Sequence, residues 1–480
     1  MFNSKIIQLL SKLSTRECSR FREYVHSPYF NKHKVVKQLV DYLLSYAPSF
    51  ESPALDKKEV FAHLFPQKTY NETTIYTYTS NLLDLFNDFL AQEELAKEPM
   101  QKKLYSIRAL QKLEHPKQFK RTVKQHLLLQ KKYAYPDNEL FFQQYLFHEE
   151  LNINFLMQPR RQYDSNLQQK NNALDLFYLE TKLKTACDML SRNAVIQANY
   201  ESWGIDQVVK QIEECWDYYQ DYPSIVLNYQ ILQMLQNEDI SYYNKLKVSL
   251  QEHLNSFSKV SLQSMYDYAI NYCIRQLNTG NQTFYREFFD LHRILLEQDI
   301  LTQTGHLSEW DYTNIATVGI KLQEFEWVEN FIQDYKQWVA EDIQENAFVY
   351  NLAFLYYSSQ RYKDTLSLLH EVNFSDSTYY LRTKIIQLKS YYALGELDTA
   401  LSLIAALQSF LNRNKDLPAY MKSSNGNMAK MAKKLIKLEL DKDFLSAKKL
   451  AAKHKQYQQE LDSLEPMVNP DWLKSILNKL

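Results

Sequence analysis

Apolar residues recur at every third or fourth position along most of this chain, the period that lays them on one face of a helix. Val35, Leu39, Tyr42, Leu43 and Tyr46 form one such stripe, and Ile75, Tyr78, Leu82, Leu85, Phe86 and Phe89 form another. Start and stop signals punctuate the stripes. Ser14 with Glu17, and Asp56 with Glu59, have the spacing of capping boxes, in which each partner satisfies a free amide of the other. Asn31 and Asn71 stand where single side-chain caps are expected, and Pro28 and Pro66 end the helices that precede them. The segment 137–156, DNELFFQQYLFHEELNINFL, is apolar on most of its circumference and predicts a helix buried between neighbours.

Beyond residue 203 the stripes come in pairs, and one pair repeats. NLAFLYYSSQRYKDTLSLL (351–369) is followed by LKSYYALGELDTALSLI (388–404), with similar apolar positions and a doubled tyrosine in each. A helical hairpin buries one stripe internally and leaves a second surface bare, so the next hairpin must cover it. The expectation is an all-α protein: a helical N-terminal module (1–95), a helical region (96–202), helical repeats (203–420) and a lysine-rich helical cap (421–480).

The repeated segments VYNLAFLYYSSQRYKDTLSLLHEV and KIIQLKSYYALGELDTALSLIAAL resemble tetratricopeptide repeats, and YTNIATVGIKLQEFEWVENFIQDY resembles them more faintly. Ala353, Tyr356 and Thr365 fill the family's small, aromatic and small places. Tyr391 and Ala400, with Gly395 in the turn, fill all but the first in the next copy. Leu388 and Gln387 depart from the pattern, the closing proline is missing, and Thr365 to Ala400 is one residue longer than the family's period. The resemblance covers roughly 308–412 and extends towards 203–300. It implies an α-solenoid whose concave face holds a protein or peptide, with Tyr350, Phe354, Tyr357, Arg382, Lys389 and Tyr392 as candidate contacts. It also implies that Tyr356 lies between helices while Tyr357, about 100° further round, faces the groove. The N-terminal stretch RFREYVHSPYFNK and LFPQKTYNETT resembles the start of a group of long helical Bacteroidota proteins of unknown function, which implies no activity.

Composition narrows the chemistry. The six glycines stand alone, so neither a dinucleotide fingerprint nor a P-loop can be written, and no nucleophile-elbow or zinc-peptidase pattern occurs. Cys18, Cys187, Cys215 and Cys273 are dispersed, which disfavours zinc ribbons and disulfide frameworks. Glu23 with His26 has the spacing of half a di-metal site, but no second copy exists, and both read as helix-surface residues. His148, Glu149 and Glu150 read as a partly exposed helix edge. No catalytic, cofactor or metal site is expected, and the protein reads as non-enzymatic. No apolar run approaches 18 residues, so a cytoplasmic, non-membrane protein is expected.

Net charge is −1, but it is unevenly spread. Segment 97–135 is strongly basic, and Lys102, Lys103, Arg108, Lys112, Lys117, Lys120, Arg121 and Lys124 are its candidate patch. A second lysine-rich stretch is 428–455, while 200–350 carries an acidic excess. The alternative function is therefore a nucleic-acid-associated or regulatory one through the basic segments; the plainer reading is a solvated face, or one docked on the acidic middle. Residues 57–94 have a helix-turn-helix outline, but the second helix, ETTIYTYTSNLLDLFNDFL, lacks the Lys or Arg that reads DNA.

Overall fold

The computed structural model describes residues 4–133, 135–157, 162–196, 199–237, 239–370, 376–414 and 417–480; Ala134, within the basic segment, lies outside them, as do Glu371 and Val372 at the end of the first repeat copy. Among the described residues the regular structure is helical and no strand occurs. The chain divides into two compact units, 1–182 and 183–480. The division falls within a long helix, whereas the sequence suggested boundaries after 95, 202 and 420.

The first unit contains α1 (Lys5–Leu10), α2 (Thr15–His26), α3 (Lys34–Leu44), α4 (Lys57–Leu64), α5 (Glu72–Lys97), α6 (Pro99–Lys112), α7 (Pro116–Gln130), α8 (Asn138–Leu156) and the start of α9 (Ser165–Ile196). Helices α1 to α5 close over one core in which Phe21, Leu39, Leu43, Leu82 and Phe86 are almost fully buried. The Phe21 and Phe86 rings meet edge to face at 5.1 Å. Ser14 and Glu17 form the full capping box, and Asn71 Oδ1 accepts from the Thr74 amide at 2.9 Å. Asp56 caps α4 through the Lys58 amide, and no return bond from Glu59 is present among the described residues. Asn31 does not cap α3, which begins after His33; it is buried and ties α2 to α3 instead. Its Nδ2 donates to the Val25 carbonyl at 3.0 Å and its Oδ1 accepts from the His33 amide at 2.9 Å.

Helices α6, α7 and α8 share a smaller core of Leu104, Ile107, Phe119 and Phe147. The expectation that α8 is buried between neighbours holds for part of its surface: Leu140, Phe141 and Phe147 are buried, but Phe142 and Leu156 are exposed while Glu150 is buried. Glu150 can lie inside because Arg108 Nε donates to its Oε1 at 2.7 Å, which compensates a carboxylate removed from water. His26 is an ordinary surface residue, bonded to Asp41 at 3.0 Å.

The second unit contains α10 (Ile205–Glu214), α11 (Trp216–Tyr219), α12 (Pro223–Gln236), α13 (Ile240–Glu252), α14 (Lys259–Asn278), α15 (Phe284–Glu297), α16 (Glu309–Lys321), α17 (Phe325–Asp334), α18 (Glu341–Ser358), α19 (Tyr362–His370), α20 (Ser377–Ala393), α21 (Leu397–Arg413), α22 (Ala419–Asp441), α23 (Ala447–Ser463) and α24 (Pro470–Leu477). From α12 to α21 the helices pair as hairpins. The first helix of a hairpin also packs on that of the next: α16 on α18, and α18 on α20. In the four hairpins from α14 to α21 the corner recurs in one form. A residue with positive φ (Gly280, Gln323, Gln360, Gly395) ends the first helix, and the following amide reaches back to the turn, as in Glu324 N to Gly319 O at 3.0 Å and Arg361 N to Tyr356 O at 2.8 Å. Only two of these corners carry the glycine that such a φ favours, so composition alone hides the repeat.

Ala353, Thr365 and Ala400 are fully buried, as expected of small residues at helix crossings. Gly319 allows a closer approach still: a Cβ there would lie 2.4 Å from Val328 Cγ2 and 2.8 Å from Phe289 Cε2. Tyr356 lies against a neighbouring helix, and the departure is in Tyr357. Tyr356 is half-buried beside the α18–α19 corner, where its hydroxyl donates to Glu329 of α17 at 3.1 Å and Arg361 lies 3.9 Å from its ring centre. Tyr357 is half-buried too, and packs against the core of Val349, Ala353, Leu369 and Ile386 instead of facing a groove. Tyr357 therefore keeps the face it shares with Tyr350 and Phe354, but it is packed over by neighbouring side chains and does not stand open to a groove. Helices α22 to α24 close the unit, with Leu473, Ile476 and Leu477 buried against Met428, Met431 and Leu435.

Candidate functional site

The first helices of the hairpins, α16, α18 and α20, bring the sequence-predicted contacts into one row. Tyr350, Phe354 and Tyr357 recur at i, i+4 and i+7 on α18, so they share a face. The Tyr350 and Phe354 rings lie parallel at 6.3 Å. From α20, Arg382 stands 5.6 Å from the Tyr350 ring centre and Lys389 stands 5.7 Å from that of Tyr357. Burial raises the hydroxyl pKa of Tyr350, with Arg382 opposing, and pushes Tyr357 up to about 12. These phenols are neutral donors at any physiological pH.

The chain itself engages one end of the row. Lys389 Nζ donates to Asn469 Oδ1 at 2.6 Å and lies 5.8 Å from the Trp472 ring centre. The Tyr392 ring meets that of Trp472 edge to face at 5.9 Å. Burial lowers the Lys389 pKa to about 8, and burial together with Glu439 raises that of Tyr392. Lys389 and Tyr392 thus hold the C-terminal helices in place, and the expectation that they serve a partner is corrected on that ground.

The other end is open. A pocket of about 360 Å³ is lined by Trp310 and Thr313 of α16, Ile343 of α18, and Asp376, Tyr379 and Arg382 at the start of α20. Local signals place each wall. Ser308 Oγ caps α16 through the Asp311 amide at 3.0 Å, which sets Trp310 in the first turn and leaves it 76% exposed. Asp376 Oδ1 caps α20 through the Thr378 and Tyr379 amides at 2.8 and 2.9 Å. Tyr379 donates a short hydrogen bond to Glu309, so that carboxylate is already engaged. Arg382 is exposed and makes no ion pair among the described residues. A second pocket of about 500 Å³ lies beside Phe354, against Lys321, Phe325 and Gln360. Trp310 was missed in the sequence; its signal was an indole in the first turn after a cap and off the apolar stripe.

The basic candidates lie on α6 and α7 of the first unit. Lys102, Lys112, Lys117, Lys120, Arg121 and Lys124 are exposed. Lys103 is half-buried and donates to Gln125 at 2.9 Å, and Arg108 is committed to Glu150. In 428–455, Lys434 pairs with Glu460 at 2.6 Å, while Lys430, Lys437, Lys448 and Lys449 are exposed.

Among the described residues no group of three or more His, Cys, Asp or Glu side chains has the geometry of a metal site, and no helix is long and apolar enough to cross a membrane. Compared with known proteins, the chain matches no family, no curated protein and no solved structure.

Proposed function

We propose that this protein is a non-enzymatic adaptor that holds an extended peptide or protein segment along the row of first helices, in a tetratricopeptide-like solenoid. What carries the reading is the open pocket: an exposed indole and a guanidinium without an ion-pair partner among the described residues line one cavity beside the buried ring of Tyr379, and aromatic and Arg side chains are enriched at protein interfaces. Its chemistry suits a segment with an aromatic or aliphatic side chain next to an acidic one. The apolar group would fill the space beside Trp310 and Ile343, and the carboxylate would meet Arg382. A cytoplasmic setting fits Cys18, Cys187 and Cys273, which are buried and unpaired.

Random-peptide display against the full chain tests the proposal. It expects enrichment of acidic-aromatic peptides, with Arg382→Ala or Trp310→Ala weakening them about 30-fold, the order of a central interface contact. Arg382→Glu should select basic peptides instead. No enrichment, or enriched peptides indifferent to both substitutions, would refute it.

A further inference from the structure

The outward face of α7 carries a straight row of unpaired cations. At 100° per residue, Lys120, Arg121, Lys124 and Lys131 lie within about 60° of Lys117 round the axis, while Phe119, Thr122 and His126 are buried on the opposite side. At 1.5 Å per residue the row from Lys117 to Lys131 is about 21 Å long, and Lys132 extends it. All six cations are exposed and make no ion pair among the described residues. No Asp or Glu occurs from Pro116 to Lys132. The chain satisfies its buried charge elsewhere, at Arg108 with Glu150, and leaves this row for solvent.

We infer that this face binds the sugar-phosphate backbone of a nucleic-acid duplex without reading its sequence. A duplex is a stiff rod with a charge about every 1.7 Å, so a stiff row about 21 Å long can face several phosphates at once. A flexible acidic peptide would have to be ordered first, which costs it affinity for the same charges. Five of the six cations are lysines, compact point charges that need no fixed geometry and bring no base-reading fork. The row also lacks the aromatic platforms that hold unstacked single strands: the residues exposed between its cations include Leu128, not a ring. This inference is independent of the peptide-binding pocket, which lies in the other unit.

Fluorescence anisotropy with two unrelated labelled 20-base-pair duplexes, over about 50–200 mM salt, tests it. The expected result is equal, micromolar-range affinity for both, with a log–log salt slope of about −4 to −5. Lys117→Gln/Arg121→Gln/Lys124→Gln should flatten that slope by about 3 and weaken binding at least tenfold. The same three positions changed to Glu should abolish binding, with an unchanged helical signal confirming the fold. Lys448→Gln/Lys449→Gln/Lys455→Gln on α23 should change nothing. The inference fails if no duplex binds, if the α7 and α23 variants act alike, or if polyglutamate competes as well as the duplex, which would make an acidic polypeptide the occupant.

Discussion

Acidification should loosen the first unit through one side chain, His126. It is fully buried, and neither ring nitrogen has a partner among the described residues. Its imidazole lies flat on Phe147, centroids 4.3 Å apart and planes 3° apart. Burial, with a smaller contribution from His148, lowers its pKa from 6.5 to about 4. Above pH 6.5 the ring is neutral whether the chain is folded or not, and it adds no pH dependence. Between pH 6.5 and 4 the unfolded chain takes up a proton that the folded chain refuses, so stability falls as pH falls, by about 1.4 kcal/mol per unit. Below pH 4 both states are protonated and the loss levels off near 3 kcal/mol. Burial lowers His148 too, which adds a loss of the same sign.

His126→Phe keeps the ring stack and removes the titration. Any change in packing caused by the larger ring is constant with pH and cancels from the slope. The six tryptophans all lie beyond residue 202, so indole fluorescence follows only the second unit. Hydrogen exchange of α7 peptides reads the first. Between pH 6.5 and 5, after correction for intrinsic exchange, the opening free energy of α7 should drop about 2 kcal/mol further in the wild type than in His126→Phe. Slopes equal within about 0.5 kcal/mol would refute the reasoning, and a wild-type α7 that tightened on acidification would mean that the imidazole holds its proton inside the fold.

Tyr357→Ala should cost about 2–3 kcal/mol and Tyr356→Ala about 1 kcal/mol in urea unfolding followed by indole fluorescence, because only Tyr357 packs on a buried core; the reverse order would mean that Tyr357 stands open to solvent. Gly319→Ala should destabilise the second unit by about 1–3 kcal/mol despite the better helix propensity of Ala, since the new methyl meets Val328 and Phe289; a stabilised variant would mean that α16 and α17 part readily. Lys389 is held near pKa 8, so between pH 8 and 10 the unfolded chain keeps a proton that the folded one has released, and stability should rise with pH relative to Lys389→Met. Parallel pH curves for those two proteins would show that the ammonium stays charged beside Asn469.

Helix positions were legible because apolar period and caps are local: Ser14 with Glu17 and Asn71 act as their neighbours predict. Asn31 was misread because its side chain serves the turn between two helices, and an Asx turn and a helix cap have the same sequence signature. The hairpin corners were half legible, since Gly395 announces a left-handed residue and Gln323 and Gln360 do not. The row on α7 was readable from charges at i, i+3, i+4 and i+7, which is arithmetic on one helix. The covering of Tyr357 was not, because it is made by side chains of the next hairpin, Lys389 among them.

The two ends of the row raise one question that the sequence leaves open: which aromatic and basic side chains hold the chain together, and which await a partner. Asn469 and Trp472 lie 80 residues beyond Lys389 and Tyr392, so nothing local marks those two as taken. Their contacts also show what the row accepts, an indole against a tyrosine edge beside a cation. At the open end an indole and a cation stand uncovered, Trp310 and Arg382, with no segment of the described chain over them. The two tryptophans should therefore separate cleanly. Trp472→Ala removes a half-buried ring from the closing helices, so it should lower the thermal midpoint by several degrees and leave peptide capture intact. Trp310→Ala removes a ring exposed to solvent, so it should leave the midpoint within about a degree and lose capture. If both variants melt early with capture unchanged, Trp310 is structural and the open pocket is not a peptide site.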